Sequence, residues 1–171
     1  GSYNWWEYLN RPEASIAEYK RLSNETDRSL VKDVAFFFEF GNNKVKSPLQ
    51  EVSDVGITAI KGDFFKINQW ELASGRTFND MELAKGKNAA IVGYSLALSL
   101  YNGQNPEGKS VLINGNKVNI IGVLAKQGNA IGGPQYDDIM VLPAVFAQKF
   151  AKPNTQGVKS SIVINGHKNV A

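Results

Sequence analysis

Between residues 31 and 40 the chain reads VKDVAFFFEF. Val34, Phe36, Phe38 and Phe40 fall on one face and Asp33, Ala35, Phe37 and Glu39 on the other, the period of two that marks a half-buried strand. GNNK at 41–44 reads as a turn, and the β-branched residues of VSDVGITAI predict a second strand within 45–61 that returns beside the first. Asp63 is placed to cap a short helix bearing Phe64, Phe65 and Ile67. Upstream, Ser15 and Glu18 form an S-x-x-E capping box. Ile16, Tyr19 and Leu22 then recur at helical spacing, so a short amphipathic helix is expected over about 15–24.

Further along, NAAIV at 88–92 reads as a buried strand. YSLALSLY fits both periods, but Leu, Ala and Ser without a β-branched residue favour helix. VLINGNKVNIIGVL holds two β-branched runs that meet at Asn114-Gly115, a strong hairpin signal, predicting strands 110–113 and 117–124. AKQGNAIGGPQYDD has the Gly, Asn and Pro content of an exposed loop. IMVL follows as a strand, Pro143 opens a helix with Val145, Phe146 and Phe150, KPNTQG is a connector, and SSIVIN at 160–165 is a last strand. No internal repeat or low-complexity tract interrupts this order.

Composition narrows the picture. The 171 residues are 43% hydrophobic, enough for a sizeable core in one domain or two small lobes. The net charge of +3 comes from scattered residues rather than a basic stripe, which argues against nucleic acid as a partner. There are no cysteines, so disulfides and thiolate metal sites are excluded. No apolar run reaches the ~20 residues that span a bilayer. YNWWEY gathers Tyr3, Trp5, Trp6 and Tyr8, a density that suits either a membrane-interface anchor or a clasp onto the next helix.

Candidate chemistry starts with GQNPEGKS at 103–110, which matches the phosphate-loop pattern G-x-x-x-x-G-K-[ST]. That pattern binds nucleotide where a strand enters the loop and a helix leaves it, so that Lys109 and Ser110 reach phosphate and magnesium. Here the expected order is helix, then strand, and the stretch is read as a turn in which Gly103 and Gly108 supply backbone freedom. His167 is the only histidine and is expected in an exposed tail, which leaves no triad or histidine metal cluster. Asp137 and Asp138 lack the spaced ligands of a calcium loop and read as turn residues. Arg76, after Gly75, is either a recognition charge or half of a structural ion pair beside a tight turn, the latter favoured.

Several of these stretches resemble one family in an unbroken order. Val55 and Gly56, Asp63 to Ile67 (D-F-F-x-I), Gly75 to Phe78 (G-R-x-F), Ile91 to Gly93 (I-V-G), Asn105 to Lys109 (N-P-x-G-K), Ile121 to Val123 (I-G-V) and Leu142 with Pro143 follow the pattern of the MacB-like periplasmic core domain of ABC-transporter permeases. That group includes macrolide-export and lipoprotein-release permeases, and LNRPEASIAEYK is similar to a Bacteroides-type branch. The phosphate-loop lookalike coincides with the family's N-P-x-G-K turn.

The resemblance implies an α+β protein of two lobes. A porter-like βα lobe near the membrane would take residues 1–54 plus 158–171, and an inserted strand-rich lobe with short helices would take 55–157. The family's first lobe usually continues with a further helix and strand after the counterpart of SSIVIN, so here it is expected to be incomplete. The implied setting is the periplasmic side of an inner-membrane protein, with Tyr3, Trp5, Trp6 and Tyr8 next to the bilayer and both chain ends close together. The implied function is non-enzymatic: passing on the conformational change of a separate cytoplasmic ABC ATPase, with ATP bound there and no cofactor in this domain. A periplasmic adaptor or an exported peptide or lipoprotein is the implied partner. Asn129, Ile131, Gly132, Gly133, Gln135 and Tyr136 in the Gly-rich loop are the candidate contacts, against the alternative of an idle surface loop. Competing functions are a peptide- or lipid-binding module without transport coupling, and a periplasmic hydrolase.

Overall fold

The computed structural model describes residues 6–7, 17, 19–20, 31–126, 138–151 and 159–166. Its strands are β1 (Trp6–Glu7), β2 (Val31–Lys46), β3 (Glu51–Gly62), β4 (Leu72–Gly75), β5 (Ala89–Val92), β6 (Ser110–Ile113), β7 (Asn116–Leu124), β8 (Ile139–Pro143) and β9 (Lys159–Gly166). Short helices lie between them: α1 (Phe64–Asn68), α2 (Asp80–Lys85), α3 (Tyr94–Leu100) and α4 (Ala144–Ala147). Residues 17, 19 and 20 are helical, as expected for part of the 15–24 segment, whose remainder lies outside the described residues.

The pairings close on themselves. β2 pairs with β3, β3 with β8, β8 with β5, β5 with β7, β7 with β6, and β6 returns to β2 through Val45 opposite Ile113 and Lys46 opposite Leu112. This circuit is a six-stranded barrel whose last seam is two residue pairs wide. β9 and then β1 extend it from the first part of β2, and β4 is added on β7. The β3–β8 and β5–β7 contacts are parallel and the others antiparallel.

Alternation along the strands sorts the apolar side chains into two cores. Phe36 and Phe38 of β2, Val55 and Ile57 of β3, Met140 and Leu142 of β8, Ala90 and Val92 of β5, Val118 and Ile120 of β7, and Val111 and Ile113 of β6 share the first, which Leu96 and Leu100 of α3 and Phe146 of α4 also enter. The intervening positions Ala35, Ile60, Val141, Ala89 and Ile91 face the second core, with Phe64 and Ile67 of α1 and Leu83 of α2. Because α1 covers this face, β2 is not half-buried as expected. Ala35 is fully enclosed and Phe37 meets Phe64 edge-on at 5.3 Å between ring centroids.

Two local expectations are corrected. GNNK does not turn the chain: it lies inside β2 as a bulge with Asn42 at φ 60°, and the turn falls at 47–50. There the Ser47 N–H donates to Gln50 O at 2.8 Å, while Ser47 Oγ accepts the N–H groups of Leu49 (3.1 Å) and Gln50 (3.0 Å). Asp63 occupies the position before α1, yet its carboxylate makes no cap; Oδ2 accepts the N–H of Val34 at 3.1 Å instead. β4 and α2 are elements that strand and helix periodicity did not reveal, being four and six residues long. Asn79 and Glu82 nonetheless form a reciprocal capping box at the start of α2.

Candidate interaction surface

The phosphate-loop lookalike sits between α3 and β6, the helix-to-strand order expected of a turn. Its backbone donors are turned inward. The N–H groups of Gly103, Gln104, Gly108 and Lys109 donate to the carbonyls of Leu98, Tyr101, Ile120 and Pro106 at 2.8, 3.0, 2.8 and 2.9 Å, and that of Glu107 donates to Asn105 Oδ1 at 3.0 Å. A phosphate cradle needs those same groups free and convergent. Lys109 Nζ lies 4.4 Å from the centre of the Tyr101 ring, and Ser110 Oγ donates to Asn119 Oδ1 at 2.7 Å. Gly103 at φ 86° and Gly108 at φ 82° supply the left-handed backbone the turn requires.

Two other motif stretches meet across β4 and β7. Gly75 of G-R-x-F lies opposite Gly122 of I-G-V. A Cβ on Gly122 would stand 2.7 Å from the Arg76 carbonyl oxygen, and one on Gly75 would stand 2.6 Å from Gly122 Cα, so neither position has room for a side chain. Arg76 then reaches Glu82 with two bonds, Nη1 to Oε1 at 2.7 Å and Nη2 to Oε2 at 3.1 Å. These bonds hold the Glu82 carboxyl below the ordinary carboxylate range, against the opposing effect of its burial and with help from the Asn79 N–H. The favoured structural ion pair is thus observed, and it clamps the start of α2.

Four large apolar side chains missed in the sequence are exposed among the described residues; Met81 and Leu98 stand singly on α2 and α3, while Leu49 and Leu112 lie at the far end of the β2–β3 hairpin. Leu49, 52% exposed, projects from the 47–50 turn, and Leu112, 40% exposed, lies on β6. Leu112 is flanked by Lys46 across the β2–β6 seam and by Lys117 across the β6–β7 hairpin. Lys46, Ser47, Pro48, Val111, Leu112 and Lys117 line a groove there. The available signal was the alternation of VLIN: with Val111 and Ile113 inward, an outward leucine is the position out of pattern. Two ties brace this end. Ser47 Oγ donates to the Leu100 carbonyl, and buried Asn43 donates to Phe40 O (3.0 Å) and Val55 O (2.8 Å) while accepting from Asn114 Nδ2 at 2.8 Å.

At the opposite end of β2, Trp6 lies opposite Asn165 and Val31 opposite Gly166, so the first and last described strands are neighbours. Tyr3, Trp5, Tyr8, the candidate contacts Asn129, Ile131, Gly132, Gly133, Gln135 and Tyr136, and also Asp137 and His167 lie outside the described residues. Asp138 is an exposed turn residue before β8. Among the described residues no cluster of three or more His, Cys, Asp or Glu forms a metal site, and no helix is long and apolar enough to cross a membrane.

In fold the chain is similar to the crystal structure of the periplasmic region of MacB from Actinobacillus actinomycetemcomitans, with a TM-score of 0.74 over 94% of this chain and 68% of that one at 15% identity. The fold class is therefore that of a strand-rich α+β domain with short helices. In sequence it is 35% identical over 77 residues to the ABC transporter permease YknZ of Bacillus subtilis, covering 45% of this chain and 19% of that protein. It is 31% identical over 88 residues to the macrolide export ATP-binding/permease protein MacB of Syntrophobacter fumaroxidans, covering 52% and 12%. The family described as MacB-like periplasmic core domain matches residues 3–169, and the chain belongs to that family. It is a periplasmic domain of the ABC-permease type, and it spans less than a fifth of the length of these curated relatives.

Proposed function

We propose that this domain is the outward-facing mechanical part of an inner-membrane ABC-transporter permease, passing ATP-driven movement to a periplasmic adaptor or to an exported peptide or lipoprotein. ATP would be bound and hydrolysed by a separate cytoplasmic ATPase, and the domain itself would need neither cofactor nor catalysis. The observation that supports this reading is the β2–β3 hairpin. The 12 residues of β3 alone span about 40 Å at ~3.3 Å per residue, from the end where β1 and β9 meet to the braced turn at 47–50. A stiff lever of this length suits transmission, whereas a passive binding module is served better by an enclosed apolar pocket, and the grooves beside Tyr94 and Leu98 and beside Lys46 and Leu112 are open. We assign residues 1–54 plus 158–171 to the membrane-proximal lobe, which would meet the membrane at β1 and β9, and 55–157 to the inserted lobe; the 41–54 segment of the first runs away from that end along the second, and the boundary falls inside β3.

The test uses the full-length permease with its ATPase, carrying one spin label at exposed Leu49 and one on the ATPase. Trapping the ATPase with ATP is expected to shift the distance between them. An identical distance distribution with and without ATP overturns the lever.

A further inference from the structure

We propose that the end of the barrel at Leu49 and Leu112 docks a partner protein that presents an apolar side chain flanked by carboxylates. This rests on the reading of the domain as the outward part of a permease, and it names the surface and the chemistry of its partner. Directly paired residues on adjacent strands project to the same face. The β2–β3, β2–β6 and β6–β7 pairings therefore set Glu51, Lys46, Leu112 and Lys117 in a row on the outside of the barrel, with Leu112 between the two lysines. Leu49 projects from the neighbouring turn. Lys44 close by has Glu51 at 3.7 Å, but among the described residues neither Lys46 nor Lys117 forms an ion pair.

An apolar centre whose rim sets Lys44, Lys46 and Lys117 against Glu51 keeps a net positive edge, the layout of a protein interface whose other side is acidic. A second copy of this chain fits poorly, since a two-fold contact would bring three lysines from each side together against one glutamate each. A lipid surface fits poorly as well, because the first and last strands meet at the opposite end of the hairpin. The surface is also formed in advance: Ser47 ties the turn to α3, and Asn43 ties β2 to the 114–115 turn, so docking orders little that is not already ordered.

The experiment places a photoreactive benzoylphenylalanine at position 112 of the full-length permease in its own cell. The expected product is one adduct with a second protein through a peptide that carries Asp or Glu beside an apolar residue. Its yield should fall roughly tenfold in Lys46→Glu/Lys117→Glu and stay near the original in Lys46→Arg/Lys117→Arg, as loss of two rim charges predicts. Melting of the purified variants checks that both remain folded. An adduct with lipid alone, with a second copy of the chain, or of equal yield after charge reversal overturns the proposal, as does the lack of any adduct. The spin-label experiment separates the two readings: an adduct without an ATP-dependent movement of Leu49 sinks the lever and leaves the docking surface, and movement without an adduct does the reverse.

Discussion

The two ends of β2 are built from different materials. Its first half is built on packed rings: Phe36 and Phe38 are fully enclosed, with ring centroids 6.0 Å apart, and β9 and β3 cover both edges. Its second half gives up that continuity. At the 41–44 bulge the strand leaves β9 and takes β6 as its neighbour, and the corner is held by amide hydrogen bonds rather than by packed rings. The difference teaches where stiffness and adaptability come from in one strand. Packed aromatic surface resists deformation at the end where the outer strands meet, while the far end is positioned by a few directional bonds and keeps its leucines outside.

That contrast is open to attack by substitution. Phe38→Ala removes a side chain with no room to collapse into and is expected to lower the unfolding free energy by about 3–5 kcal/mol; urea denaturation of the chain measures it, and a loss no larger than that at the far end erases the distinction. Asn43→Ala leaves the carbonyls of Phe40 and Val55 and the amide of Asn114 without their partner, an expected loss of about 1–3 kcal/mol. Combining it with Asn114→Ala sharpens the comparison: losses that simply add show that the two amides do not act as one clasp. The smallest effect is expected from Lys109→Ala, about 0.5–1 kcal/mol from the lost contact with the Tyr101 ring, and neither the variant nor the original chain is expected to bind ATP. Micromolar ATP binding by calorimetry, abolished in that variant, contradicts the turn.

Much of the strand and helix order was legible because its signals are local. Asn114-Gly115 announces its hairpin since both residues must take positive φ, and they do, at 47° and 83°. The helix at 94–100 and the strands around it follow from side-chain type and period alone. The order of motifs also carried the family, and the helix-then-strand order around 103–110 identified the phosphate-loop pattern as a turn. GNNK was misread for the opposite reason. Its composition fits a turn or a bulge equally well, and the strand goes on because Val45 and Lys46 pair with Val52 and Glu51 of β3 and, some 66 residues further along, with β6. The same holds for Asp63, whose position favours a helix cap but whose carboxylate is claimed by the Val34 N–H, 29 residues away.

By itself, then, the sequence determined most of the strands and helices, though not β4, α2 or the continuation of β2 through 41–44, together with the tight turn between β6 and β7 and the family, because each depends on residues within a few positions or on the order of short motifs. Tertiary structure alone decided that the strands close into a barrel, that Gly75 faces Gly122, and that Lys46, Leu112 and Lys117 form one exposed row. Those arrangements depend on pairing between distant strands, whose register is set by how the whole core fills, and no local pattern contains it.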